Sequence, residues 1–374
     1  MLAALSLLAA ASAKPAGGAA LGEVALVAGS LTVAFGGLGW MALRQRRGER
    51  TPLGAAAART ARRSGLPGWA ALPLLVGSLA LVVGYVGFMW DVALHLDQGR
   101  DVGPLANPAH YLILVGLYGI VAAGALAAAL APSGSRIPTG AILIAACGLL
   151  ALFAFPIDDV WHRLFGQDVT LWGPTHILML GGGLLSVIGF AVLWEEGRRA
   201  RARHRGWGPP APVAVVTRVT FAAALLIGLA TFLAEFDYGI PQFRLVFHPA
   251  LIALFGGVAL VAARMWVGRG AAIGAVAIYL AARVAIGVLV GPTLGETTPV
   301  AALFVAEALT VEVVGLWLAR GRPVVFGAVA GLAAGLVGLA AEWPWTQLVF
   351  PIPWTARCSR RASSRPPWRG RRAA

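Results

Sequence analysis

Predominantly apolar stretches, each near twenty residues long, recur along the chain at roughly 23–43, 68–90, 109–131, 139–157, 174–194, 213–235, 248–266, 270–291, 299–319 and 323–343. Short segments between them collect most of the charge. A helix rising about 1.5 Å per residue needs about twenty such residues to cross a hydrocarbon core of roughly 30 Å. The pattern therefore predicts an all-α, polytopic integral membrane helix bundle of about ten transmembrane helices occupying 23–350. Composition agrees: 59% hydrophobic and 12% charged residues among 374 cannot clothe a soluble surface. The 48 glycines suit helices that pack closely in lipid.

Charge orients the pattern. The net +14 is carried by arginine, since Lys14 is the single lysine, and the arginines gather in alternate connections. Arg44, Arg46, Arg47, Arg50, Arg59, Arg62 and Arg63 share the first connection. Arg136, then Arg198, Arg199, Arg201, Arg203 and Arg205, then Arg264 and Arg269, then Arg320 and Arg322 fall on the same side. By the positive-inside rule that side is cytoplasmic, so the basic charge marks a cell-membrane topology and no nucleic-acid partner is expected. Segments 91–108, 158–173, 236–247 and 292–298 then face the extracytoplasmic side, as does the N-terminus.

The ends stand apart. Residues 1–22 are read as a leader: MLAALSLLAAASA has the short apolar run and small residues of a signal peptide, although no basic residue precedes it. Residues 351–374 form an arginine-rich tail, expected to be disordered, whose seven arginines would break the charge rule if 323–343 crosses fully. Cys147 and Cys358 make no metal-ligand spacing.

The extracytoplasmic segments contain an internal repeat. MWDVALHLDQGRDVGPLANPAHYLILVGL aligns with FPIDDVWHRLFGQDVTLWGPTHILMLGGG, pairing Asp91 with Asp158, His95 with His162, Gly99 with Gly166, Asp101 with Asp168, Val102 with Val169, Leu105 with Leu171, Pro108 with Pro174 and His110 with His176. A packing repeat alone does not require its polar members to recur. An aspartate and a histidine four apart share a helical face, and the second histidine opens the next helix on the same side. One carboxylate and two imidazoles suit Cu, Zn, Mn or Fe. The same residues also cap helices and pair with one another, which is the competing structural reading. A weaker third copy holds Glu235, Asp237 and His248, and a fourth holds Glu296, with Glu307 and Glu312 beyond it.

Asp97 and Asp159 are further acidic groups beside these motifs. Trp90, Trp161, Trp172, Trp343, Trp345 and Trp354 fit an interfacial aromatic belt. Arg218, Arg283, Glu307 and Glu312 lie within apolar spans and need partners or a cavity, and an Arg283–Glu307 clasp is one expectation.

The repeated D-x-x-x-H followed by a histidine on the next helix resembles the metal site in the C subunit of the particulate methane and ammonia monooxygenases. That site binds copper or zinc through one Asp and two His. The resemblance covers these segments alone, and the motif occurs here twice. It implies one set formed by Asp91, His95 and His110, and another formed by Asp158, His162 and His176. The expected function is an integral membrane metal-binding protein, with copper as the leading cofactor and zinc or iron as alternatives, used in oxidation, electron transfer or metal handling. If it is an enzyme, it is a metal-dependent membrane oxidoreductase. A cation or proton-coupled transporter, a bis-histidine haem protein and a structural membrane subunit are the competing classes. Partners are membrane lipid, with partner membrane subunits and a small-molecule or ion substrate to be considered. No phosphate loop, dinucleotide fingerprint, HExxH or nucleophile elbow is present, and no catalytic acid, base or nucleophile stands out.

Overall fold

The computed structural model describes residues 21–99, 103, 105–132, 136–165, 170–205, 211–240, 244–319 and 321–354. The leader and most of the tail, with Cys358, fall outside these residues, as do Gly166, Asp101, Val102, Asp168 and Val169 of the repeat. Among the described residues the chain is helical, with no strand.

Helix α1 (Leu21–Arg46) leads through a surface helix, α2 (Pro52–Ser64), into two long hairpins: α3 (Gly68–Asp97) with α4 (Pro108–Leu130), and α5 (Thr139–Phe165) with α6 (Pro174–Arg205). Helix α7 (Ala211–Ala230) continues through a 3₁₀ turn, Thr231–Leu233, into the short α8 (Ala234–Asp237). Then follow α9 (Phe247–Trp266), α10 (Ala271–Val288), α11 (Val305–Leu318) and α12 (Pro323–Val349). Among the described residues, nine helical spans are long and apolar enough to cross a membrane.

Helix α2 shows why the arginine-rich connection is ordered. Thr51 Oγ1 accepts from Gly54 N, Pro52 occupies the first turn, and Gly65 ends the helix at φ 71°, a left-handed conformation that glycine adopts without strain. Leu53 and Ala57 pack on Leu72 and Leu126, while Arg62 and Arg63 stay exposed. The hairpins close tightly where side chains are absent. A Cβ on Gly116 would come within 2.6 Å of Gly84 Cα, so α3 and α4 cross almost backbone to backbone.

Three features depart from the sequence expectations. The ninth expected span, 299–319, is helical only over α11, a run of 14 residues. Residues 297–304 enter the bundle without helical structure, and Phe304, fully buried, sits at φ 56°. Non-helical backbone survives at membrane depth only where protein groups satisfy it. Here Arg283 donates to Val300 O at 2.6 Å, Tyr279 Oη to Ala302 O at 3.1 Å, and Trp345 Nε1 to Ala301 O at 2.8 Å. Glu342 Oε1 accepts from Leu303 N and Phe304 N at 2.7 and 2.8 Å.

The second departure is the Arg283–Glu307 clasp, which does not form. Arg283 instead meets Asp237 at 2.8 Å, both nearly fully buried, with Tyr85 Oη 3.1 Å away. Arg218 meets Glu195 at 2.6 Å, and Arg264 meets Glu312 at 2.9 Å. The third concerns the aromatic belt: Trp354 is buried against His248, Trp345 is tied to the broken segment, and Trp172 packs on Phe232, so these three serve the interior.

Replacing Arg283 by Leu would strand a buried Asp237 and is expected to cost about 3–5 kcal/mol. Thermal unfolding in detergent checks this. The double variant Arg283→Leu/Asp237→Leu is expected to recover part of that loss, and full additivity would show that the two do not interact.

Candidate metal centre

The apolar blocks end before the helices do. Helix α3 continues past its block to Asp97 and α5 to Phe165, so Asp91 with His95, and Asp158 with His162, lie one turn apart on rigid helices. Helices α4 and α6 begin at Pro108 and Pro174, a residue that is pre-set for a first turn and has no N–H to leave unpaired. His110 and His176 follow two residues later. Close approach places them: a Cβ on Gly87 would sit 2.9 Å from Ala109 O, and one on Gly182 2.6 Å from Cys147 O.

The structure brings together both sets expected from the sequence. In the first, Asp91 Oδ1 lies 3.0 Å from His110 Nε2 and 3.5 Å from His95 Nε2. In the second, Asp158 Oδ2 lies 3.1 Å from His162 Nε2, and Oδ1 lies 3.3 Å from His176 Nε2. Within each set one ligand atom per residue falls within 4.8 Å of the others. All six side chains are largely covered, their exposure running from 14 to 20%.

Two of the imidazoles are oriented from behind. His95 Nδ1 is 3.1 Å from Gly99 O, and His176 Nδ1 is 2.6 Å from Thr170 O. A carbonyl only accepts, so each Nδ1 carries a proton, and each ring turns its Nε2 toward the aspartate. These same two rings show the longer Nε2–carboxylate separations, 3.5 and 3.3 Å, beyond the 2.7–2.9 Å usual for a charge-assisted hydrogen bond. Co-ligands about 2.0–2.1 Å from a tetrahedral ion are roughly 3.3 Å apart, so the spacing fits shared coordination.

Each carboxylate is also held by a neighbour that the repeat did not reveal. Asn107 Nδ2 donates to Asp91 Oδ1 at 2.6 Å, while its own Oδ1 accepts from Ala109 N, joining a helix cap to the site. Thr175 Oγ1 donates to Asp158. Asn107 before a proline is a readable helix-start signal, whereas nothing in the sequence marks Thr175 as an aspartate partner. Glu235, from the weaker third copy, accepts from Thr170 Oγ1 and Leu171 N at 2.7 Å each, shaping the segment that orients His176.

Other sequence candidates lie elsewhere. His248 is fully buried, stacks on Phe236 at 4.6 Å and accepts from Trp354 Nε1 at 3.0 Å through Nδ1. It forms no metal set with Glu235 and Asp237 among the described residues. Asp97 accepts from Thr297 N and Oγ1 at 2.6 Å each, strapping the 294–298 loop to α3. In that loop the carboxyl of Glu296 is raised above its ordinary value by lost hydration and by a hydrogen bond shared with Asp97. Asp159 pairs with Arg163 at 2.8 Å.

The two sets face one chamber. A cavity of about 540 Å³ is lined by all six residues together with apolar side chains including Ile113, Leu180, Ile227 and Ile286. Phe155, one turn before Asp158, places its ring edge-on to His110 at 5.8 Å, so the second hairpin touches the first set. The groups therefore sit at the same end of the bundle, around an apolar space.

Substituting Asn107 by Ala removes a helix cap and a donor to Asp91, and is expected to lower stability by about 1–2 kcal/mol. Denaturant unfolding measures it. No family model, curated protein or solved structure matches the chain.

Proposed function

We propose that this chain is an integral membrane copper-binding protein whose two Asp-His-His sets face the extracytoplasmic side and serve oxidation, electron transfer or metal handling. The observation that carries the reading is the double restraint on His95 and His176. Each ring donates from Nδ1 to a backbone carbonyl while aiming Nε2 at a carboxylate. The two Asp-His-His sets, both facing one cavity, repeat a donor set rather than a packing contact.

Copper is favoured because nitrogen and oxygen donors follow the divalent series that peaks at Cu²⁺, and imidazole suits it well. Bound there, the ion would supply redox chemistry or a carrier for metal delivery. Asp91, His95 and His110 would hold one ion, and Asp158, His162 and His176 the other. Asn107 and Thr175 fix the carboxylates, and the apolar walls limit water. The side assignment rests on the arginine distribution.

A second reading, a cation or proton-coupled transporter, is favoured by the broken entry into α11. Substrate-dependent proton or cation flux in liposomes separates it from the first.

Purified full-length protein is expected to carry two metal ions per chain, with copper dominant. Asp91→Asn/His95→Ala/His110→Ala is expected to carry one, and the matching triple variant at Asp158, His162 and His176 likewise one. Elemental analysis with an optical spectrum checks this. Metal content near zero in the wild type after copper, zinc and iron loading would sink the proposal, and a haem spectrum would replace it. Removing the donor of Asp158 by Thr175→Val is expected to weaken the second ion about 10–100-fold, read by chelator competition.

A further inference from the structure

Away from the Asp/His chamber, the bundle buries a second set of acidic groups that the metal reading does not use. Glu307 lies in the first turn of α11, one turn after the break at Phe304, and is 1% exposed. Neither of its carboxyl oxygens has a hydrogen-bond partner among the described residues. The space it occupies is reserved for it. A Cβ on Gly338 of α12 would fall within 2.2 Å of Glu307 Oε1, and one on Gly256 of α9 within 3.5 Å of Glu307 Cγ. One turn beyond Gly338 stands Glu342, 2% exposed, whose Oε2 also has no partner among the described residues.

The other charged or titratable groups on the helices around Glu307 each have at least one partner, although His248 Nε2 and Glu342 Oε2 have none among the described residues. On α10, Arg283 is paired with Asp237 and Val300 O. Arg264 of α9 is paired with Glu312, the next acid along α11, and with Gly315 O. His248 of α9 accepts from Trp354, and Tyr279 of α10 donates to Ala302 O. The facing group is the carboxyl of Glu342 on α12. An isolated carboxylate without a cation or donor costs several kcal/mol or more in such surroundings, so it takes up a proton instead.

The two acids are not equivalent. Glu342 Oε1 accepts two backbone N–H groups at the break, which stabilise its charged form. Glu307 has no donor beyond its own backbone N–H among the described residues. The carbonyls of Val300, Ala301 and Ala302, which a metal ion would need, are already taken by Arg283, Trp345 and Tyr279. We infer that Glu307 is a buried proton-binding site, holding an exchangeable proton beside Glu342 at the broken helix. None of the six Asp/His ligands takes part, and the inference needs neither the metal assignment nor flux through the protein.

The test is infrared spectroscopy of the full-length protein in phospholipid nanodiscs at neutral pH. It is expected to show a protonated-carboxyl stretch that shifts on H/D exchange, is lost in Glu307→Gln and persists in Glu342→Gln. The wild type is also expected to be labelled at Glu307 by dicyclohexylcarbodiimide, read by peptide mass spectrometry, which needs no variant to fold. Absence of both band and label, or a band that survives Glu307→Gln, overturns the inference. Loss of the label on adding sodium or potassium would show a metal-cation site and overturn it too. Removal of copper with chelator is expected to leave band and label unchanged, and their loss on removal would refute independence from the metal centre.

Discussion

Inside a bilayer there is no water to complete a hydrogen bond or screen a charge, so each polar group in the bundle must find its complement in protein or stay neutral. That requirement organises this chain. Arg218, Arg264 and Arg283 are each matched to a carboxylate, and the last joins α10 to the end of the α7–α8 segment. The same requirement governs the irregular stretch before Phe304. Its carbonyls are met by Arg283, Tyr279 and Trp345, and its amides by Glu342. A helix break at this depth is tolerable because four side chains do what the missing helical turns would have done.

The Asp/His chamber obeys the rule in another way. Two carboxylates and four imidazoles collect at one end of the hairpins, each aspartate flanked by two rings, and backbone carbonyls orient His95 and His176 from behind. Each such set could hold a metal ion. The repeat explains why there are two: each hairpin supplies an Asp-x-x-x-His turn on one helix and a proline-started helix carrying the second histidine. Close helix crossings at Gly84–Gly116, Gly87 and Gly182 bring those parts within reach.

The two halves of the molecule thus solve one problem with different chemistry. In α3–α6, Asp91 and Asp158 face imidazoles around an apolar space. In α7–α12, acids face arginines, amides or, at Glu307, nothing but a neighbouring acid. Glu235 links the halves: it belongs to the second but shapes the segment that orients His176. Tyr238 does the same for α3, donating to Met89 O at 2.5 Å, two residues before Asp91.

The sequence by itself determined the helical membrane fold, nearly all its spans and the membership of both Asp/His sets. Block length against bilayer thickness and four-residue spacing on a helix are local properties, and repetition made the sets visible twice. It did not determine the partners of long-range charges. Arg283 is 46 residues from Asp237 and 24 from Glu307, and only packing decides which carboxylate it meets. Nor did hydropathy reveal that 297–304 is not helical, because an extended apolar segment and an apolar helix have the same composition. Trp354 looked like an interface anchor until the fold set it against His248. Tertiary structure decided these points because a buried polar group is fixed by whichever complement comes within hydrogen-bond reach, and that distance is not a function of position along the chain.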